Sequence, residues 1–377
     1  MVKTKNSRMN QENILQIREL LFAVLIIYIL SRVLIWFEYA ALSNILHNSM
    51  DIIGNLWRWD SGWYQGIVEK GYDISFDGQS SNWPFFPLWP LILKLCSLNG
   101  LFSIPVTGIF LNQLFFLGAL AILALYLQAL KFCEKEITFI VFLLAISPAN
   151  IYFCAGLTES LFLLLSLSAF YFLKKEQFYA AVLCGALLSA TRMTGAFFIF
   201  PLVICLYQTR KFSWIKSGIL ILLAISGLLI YVLYLKLHTG SAFGFLEVES
   251  QIPSWVRPGL TWDSNVLNQI YSVMTTTSHI YDRGIFVIAL FLVSGILFKQ
   301  GFVKEGVFNV LCVIPGLISG NMWNSFRFDT AIFTFYLGLL LFAKTLPPYG
   351  KYFIFALSVM MSVVCWFYWL SGSYYFA

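Results

Sequence analysis

Long uninterrupted apolar runs constrain this chain more than any motif does. The first extends from Leu20 to Leu42. Others follow at about 105–130, 137–155, 157–173, 178–192, 194–207, 215–236, 284–298, 305–320, 329–345 and 352–371. A straight helix needs about 20 apolar residues to cross a bilayer. Several runs are shorter, so the pattern predicts about 11 transmembrane or half-membrane helices. Runs 178–192 and 194–207 meet at Thr191-Arg192-Met193 and read as two half-depth helices sharing a polar apex. With 59% hydrophobic and 11% charged residues over 377 positions, a soluble fold has nowhere to hide its apolar surface. The expected class is an all-α polytopic membrane protein with one domain over 1–377. No Gly/Ser linker, low-complexity tract or internal repeat divides it.

Charge sorts the loops. A basic N-terminus (Lys3, Lys5, Arg8, Arg18) precedes an apolar run longer than the roughly 7–15 residues of a signal-peptide core, so that run is expected to stay as the first span. With the N-terminus in the cytoplasm, the inner turns also hold Lys131 and Lys135, Lys174 and Lys175, Arg210, Lys211 and Lys216, Lys299 and Lys304, and Lys344 and Lys351. Together these are most of the 24 basic residues. This bias sets orientation and puts two large loops, about 43–104 and about 237–284, on the extracytoplasmic side. Orienting lysines and arginines account for the formal charge of +6, so no nucleic-acid partner is expected. The stretch WPFFPLWPLILKL (Trp83–Leu95), broken by Pro84, Pro87 and Pro90, is expected to lie along the outer interface. The seven cysteines are scattered without a CxxC pair and read as small buried hydrophobes. His47, His238 and His279 are dispersed, and Asp73 and Asp77 read as a solvated turn. Neither a metal nor a cofactor is expected.

Chemistry concentrates in RWDSGWYQGIVEKGYD (Arg58–Asp73), where Trp59 and Trp63 flank the carboxylate of Asp60 and Glu69 follows nine residues on. A solvated acid beside an interfacial tryptophan belt explains the pattern in one way. The other is a base under rings that stack on sugar faces, since a partly desolvated carboxylate is the stronger base. Arg192 lies in apolar sequence, where an ionisable group is costly and needs a partner; it either pairs with Glu159 or binds a ligand. Arg327, in GNMWNSFRFD, has the same two uses, with Asp329 as its structural partner. Glu159 is either a helix-start acid beside the capping Thr158 or a ligand-binding group. Glu69 is either a surface acid or a ligand contact. Trp255 and Arg257 form either an ordinary loop pair or part of a binding site.

The first outer loop, RWDSGWYQGIVEKGYD…NWPFFPLWPLI, resembles the first lumenal loop of the PIG-V type mannosyltransferases. The shared pattern is an aromatic-Asp pair, then Glu-x-Gly-Tyr, then Phe-Phe-Pro-x-x-Pro. SPANIYFCAGLTESLFLLLSLSAF (Ser147–Phe170) and GALLSATRMTG (Gly185–Gly195) extend the likeness to about residue 200. It is weaker at TGSAFGFLEVESQIPSWVRP (Thr239–Pro258) and NSFRFD (Asn324–Asp329). The resemblance implies a GT-C class glycosyltransferase with a catalytic acid in the first outer loop, here Asp60. It implies a polyprenyl- or dolichyl-phosphate sugar donor and transfer of a hexose, mannose by resemblance, α-linked and α1,6 in eukaryotic members that build the GPI precursor. Arg192 and Arg327 are then expected to hold the donor phosphate. Trp59, Trp63, Glu69, Glu159, Trp255 and Arg257 would contact sugar or acceptor. A monophosphate leaving group needs only arginines, and one base suffices for inversion. The expected partners are membrane lipid, the lipid-linked donor and a lipid-linked or glycan acceptor. The ending SYYFA is no lysine-type retrieval tail, which favours a bacterial plasma membrane over the endoplasmic reticulum. The competing reading is a transporter or flippase for a lipid-linked sugar, with a non-catalytic partner subunit behind it. A transporter predicts inverted repeats around a midplane site.

Overall fold

The computed structural model describes residues 2–48, 50–76, 78, 80–251, 285–318 and 325–372, and these are helical with no β-strand among them. In chain order the helices are α1 (Val2–Ile45), α2 (Ile52–Leu56), α3 (Asp60–Lys70), α4 (Leu88–Cys96), α5 (Ile104–Ala129), α6 (Glu134–Ala145), α7 (Asn150–Cys154), α8 (Glu159–Lys174) and α9 (Phe178–Ser189). A 3-10 turn (Met193–Phe198) leads into α10 (Ile199–Thr209). Then come α11 (Trp214–Ala224), α12 (Ser226–Thr239), α13 (Gly244–Gln251), α14 (Ile285–Lys299), α15 (Val303–Ile318), α16 (Ser325–Thr330), α17 (Phe333–Thr345) and α18 (Pro348–Leu370).

Among the described residues, three helices are long and apolar enough to cross a membrane: Leu15–Ile45 within α1, α5 and α18. Two of them open on proline, Pro105 in α5 and Pro348 in α18, where the missing N–H costs no helix bond. The run 215–236 is bent by 59° at the break between α11 and α12, as a broken span or a re-entrant loop would be. The remaining apolar helices are short. At 1.5 Å per residue, the 12 residues of α9 reach about 18 Å, well under the roughly 30 Å of hydrocarbon. The two apolar runs around Arg192 are present as α9 and the 3-10/α10 segment, with Arg192 at the break between them. The expected span at 137–155 is not continuous. It stops at Ala145, passes Ser147-Pro148, and resumes as the single turn of α7, because Pro148 cannot extend the ladder behind it.

A helix that ends in the buried interior, as α6 does at Ala145, leaves carbonyls without partners. Arg32, on α1, closes that gap. Its Nη2 donates to the Ala145 carbonyl at 3.2 Å, and its Nη1 to Gln113 Oε1 at 3.2 Å and Cys154 Sγ at 3.0 Å. The guanidinium also lies 4.9 Å from the Phe116 ring centroid. A cation at a helix C-terminus is favourable, and Arg32 thereby fixes both ends of the stretch that leads to Glu159. Asn112 holds the same stretch from α5, donating to the carbonyls of Ala155 at 2.5 Å and Leu157 at 2.8 Å.

Contacts between turns divide the molecule into two ends. At one end Lys344 pairs with Glu136 at 2.8 Å, Lys211 pairs with Glu176, and Phe132 stacks on Phe302. All of these turns belong to the basic set. At the other end Asn48 donates to the Leu370 carbonyl at 2.8 Å and Tyr231 to the Trp83 carbonyl at 2.5 Å. The proline-broken stretch packs into this second end and does not spread over it. Trp83, Phe86 and Trp89 are buried, Leu88 N–H donates to the Ala190 carbonyl, and Leu91, Lys94 and Leu95 are exposed.

The loop and the α5 wall lock through glycine. The Trp57 ring fills a slot between Gly108 and Gly156, and a Cβ on Gly156 would overlap Cε3 and Cζ3 of that indole. The Gly156 backbone is pinned on both sides, its N–H donating to Leu56 and its carbonyl accepting from Trp89 Nε1. Gly156→Ala is expected to cost about 1–3 kcal/mol by overpacking. A thermal unfolding midpoint in detergent equal to wild type would refute this account of the slot.

Candidate active site

Asp60 stands at the first position of α3, at the exit of a tight turn. Ser61 N–H donates to the Arg58 carbonyl at 3.2 Å, and Trp59 between them adopts φ 58° and ψ −124°. This is the second-residue conformation of a type II′ turn, which favours glycine; a side chain there costs about 1–3 kcal/mol. The strain delivers the carboxylate to the inner edge of the loop. Its Oδ2 accepts from Arg327 Nη1 at 2.6 Å, and 31% of the side chain remains exposed.

Behind Asp60 the ion pairs continue into the interior. Arg327, on α16, is 2% exposed and also donates through Nε to Glu159 Oε1. Glu159 opens α8, is fully buried, and accepts on the same oxygen from Arg192 Nη2. Arg192 Nε donates to Thr158 Oγ1 at 2.8 Å. Thr158 thus serves Arg192 and makes no side-chain cap for α8, contrary to the capping expectation. Arg327 pairs with Asp60 and Glu159, where the sequence pointed to Asp329. Two carboxylates and two guanidiniums leave no formal net charge in the chain Arg192–Glu159–Arg327–Asp60. The Phe328 ring covers both arginines, 4.7 Å from Arg192 Cζ and 5.1 Å from Arg327 Cζ. Two atoms in the cluster keep capacity for a ligand. Among the described residues, Glu159 Oε2 is buried with no hydrogen-bond partner, and Nη1 of the 13%-exposed Arg192 has none either.

Tyr64, one turn along α3, was not among the expected site residues. It is buried edge-on against Phe85. Burial pushes its phenol well above the ordinary tyrosine range, with the Asp60 carboxylate adding to the effect, so it stays protonated.

Other sequence candidates lie elsewhere or are engaged. Trp63 stacks on Phe85 at 5.6 Å and Trp59 meets Trp369 edge-on at 6.4 Å. Both indoles are therefore packed against protein rings. Glu69 does not converge with Asp60: nine residues of helix carry it about 13 Å along the axis and to the opposite face. It accepts from Gln65 Nε2 at 2.7 Å and lines an open groove of about 600 Å³ with Gln65, Lys94, Asn99 and Ser103. Trp255 and Arg257 lie outside the described residues.

Fold and site define an all-helical polytopic integral membrane protein with a charge-balanced cluster gathered at one end of its helices. The chain belongs to the mannosyltransferase (PIG-V) family, whose sequence profile matches residues 14–237. That region contains Asp60, Glu159 and Arg192, while Arg327 comes from beyond it. The chain is 33% identical over 154 residues to human GPI alpha-1,6-mannosyltransferase 2, covering 38% of this chain and 30% of that protein. It is 26% identical over 206 residues to GPI mannosyltransferase 2 of Yarrowia lipolytica, covering 52% and 54%. With the Schizosaccharomyces pombe protein of the same name it shares 30% over 143 residues, covering 37% and 30%. The match thus spans under a third of the human and fission-yeast relatives.

Proposed function

We propose that the protein is an inverting glycosyltransferase that moves a hexose, mannose by family, from a polyprenyl-phosphate donor to a hydroxyl of a lipid-linked or glycan acceptor. The observation that carries this reading is the meeting of Asp60, Arg327, Glu159 and Arg192, from four separate elements, in one continuous ionic chain.

Asp60 acts as the base. The ion pair with Arg327 holds its carboxylate in place. A hydroxyl becomes strongly acidic as its oxygen bonds to carbon, so a modest base is enough. The acceptor oxygen attacks the anomeric carbon, its proton passes to Asp60, and the bond to the phosphate oxygen breaks with its electron pair leaving on polyprenyl phosphate. Attack opposite a β-linked phosphate yields an α-glycoside, and a single carboxylate at the reacting face fits one displacement better than a covalent intermediate. The open donor edge of Arg192 and the guanidinium of Arg327 receive the phosphate. Glu159 Oε2 is the acceptor for a sugar hydroxyl. Glu69 and the groove beside it contact the far part of the acceptor. The site faces the extracytoplasmic side, of the plasma membrane if the source is bacterial and of the endoplasmic reticulum otherwise.

Purified protein in nanodiscs is expected to transfer radiolabel from polyprenyl-phosphate mannose to a lipid extract. Broken helices are also found in secondary transporters; movement of the lipid-linked sugar across vesicles with no new glycoside would establish that reading instead. Orientation can be read from native thiols, because Cys96 lies in the first outer loop, Cys133 at a basic turn, and both are exposed. In single-cysteine variants an impermeant maleimide applied outside is expected to label Cys96 and spare Cys133. The reverse pattern would invert the topology.

A further inference from the structure

We infer that Arg58 and Trp369 are positioning residues for Asp60, so that the tip of the last helix sets the aim of a carboxylate in the first loop. This rests on the reading of Asp60 as the base. A tryptophan in a glycine-type conformation relaxes unless its neighbours hold it. At Trp59 those neighbours come from α18, more than 300 residues away in sequence. The Trp59 ring lies edge-on to Trp369. Trp369 Nε1 donates to the Asn55 carbonyl at 2.7 Å, just ahead of the turn. Arg58 completes the clamp. Its Nη1 donates to the Trp369 carbonyl at 3.3 Å and its Nη2 to Asn55 Oδ1. Asn55 Nδ2 in turn donates to Tyr39 OH on α1 at 2.9 Å. Both residues that precede Asp60 are thus tied to the end of α18, and the carboxylate direction follows from that tie.

The planar guanidinium is what lets one side chain reach two acceptors on two elements; a lysine at this position keeps the charge and loses the fork. Arg58 is partly exposed, so Arg58→Lys is a mild change for folding. Trp369→Phe keeps a ring and deletes the N–H donor. In full-length protein in nanodiscs, each variant is expected to lower the kcat for transfer from polyprenyl-phosphate mannose by about 10- to 10²-fold, the usual effect of a misplaced catalytic group. The donor KM should stay within about twofold, because this clamp acts on orientation and leaves binding alone. Hydrogen–deuterium exchange should quicken at the Ser61 and Gly62 amides, which close the turn onto Arg58 and Trp59, and stay unchanged along α5. Wild-type kcat in both variants would overturn the inference. So would a raised donor KM at constant kcat, which would make Arg58 a substrate ligand, or faster exchange throughout the protein, which would make the clamp merely structural. If the wild type transfers no sugar, the functional reading fails and exchange alone decides: faster local exchange upholds the anchoring, and unchanged exchange overturns it.

Discussion

Asp60→Asn is expected to lower sugar-transfer turnover by about 10²- to 10⁴-fold, the usual share of general-base catalysis. Asparagine keeps the size of the side chain and can still accept from Arg327, so the loss isolates proton affinity. Folding should survive, since Asp60 is partly exposed and Arg327 keeps Glu159 as its second partner. Removing one negative charge also leaves the cluster formally positive, so donor KM should hold or fall. Glu69→Gln is the control. It sits on the far face of the same helix and is expected to act mildly, through acceptor KM. Transfer rates in nanodiscs, with size exclusion confirming the folded state, decide the matter. Near wild-type turnover in Asp60→Asn with Glu69→Gln inactive would move the base to Glu69.

Glu159→Gln should act on stability at least as strongly as on rate. One fully buried oxygen serves both arginines. Without its charge, Arg192 has no other ion-pair partner among the described residues, and Arg327 depends on the more exposed Asp60. Breaking a buried ion pair from one side costs about 3–5 kcal/mol, a large part of the total stability of a typical domain. The unfolding midpoint in detergent is expected to fall by many degrees, and yield with it. Glu69→Gln, at an exposed position, should stay within about 0.5 kcal/mol of wild type. Equal melting of Glu159→Gln and wild type would mean that the network is not what holds α8, α16 and the 3-10 turn together.

Much of this site was legible because charge is conspicuous in apolar sequence. Arg192 stood out for that reason, and its alternative partner Glu159 is the one it has. Arg327 was legible as a residue but its partners were not, since the nearest acid in sequence, Asp329, competes on paper with Asp60, 267 positions away. The face that Glu69 occupies was not legible. The stretch reads as part of an outer loop, which carries no helical periodicity, whereas α3 puts Glu69 nine residues on and on the far side from Asp60. The break of the 137–155 run falls at Ser147-Pro148, two residues inside an otherwise apolar stretch. The role of Arg58 was invisible, since it depends on where α18 ends.

The zero formal charge of the four-residue cluster bears on how substrate arrives. A pocket with a large net charge casts a field over many ångströms and draws its ligand in, an effect that falls with ionic strength over a Debye length of about 8 Å in physiological salt. This cluster casts only a short-range, multipolar field. An anionic headgroup feels it after entering, when individual N–H groups replace its water. On the proposed function, capture of a lipid-tethered donor is then a matter of lateral diffusion within the bilayer plane, and the encounter rate should be nearly indifferent to the salt outside.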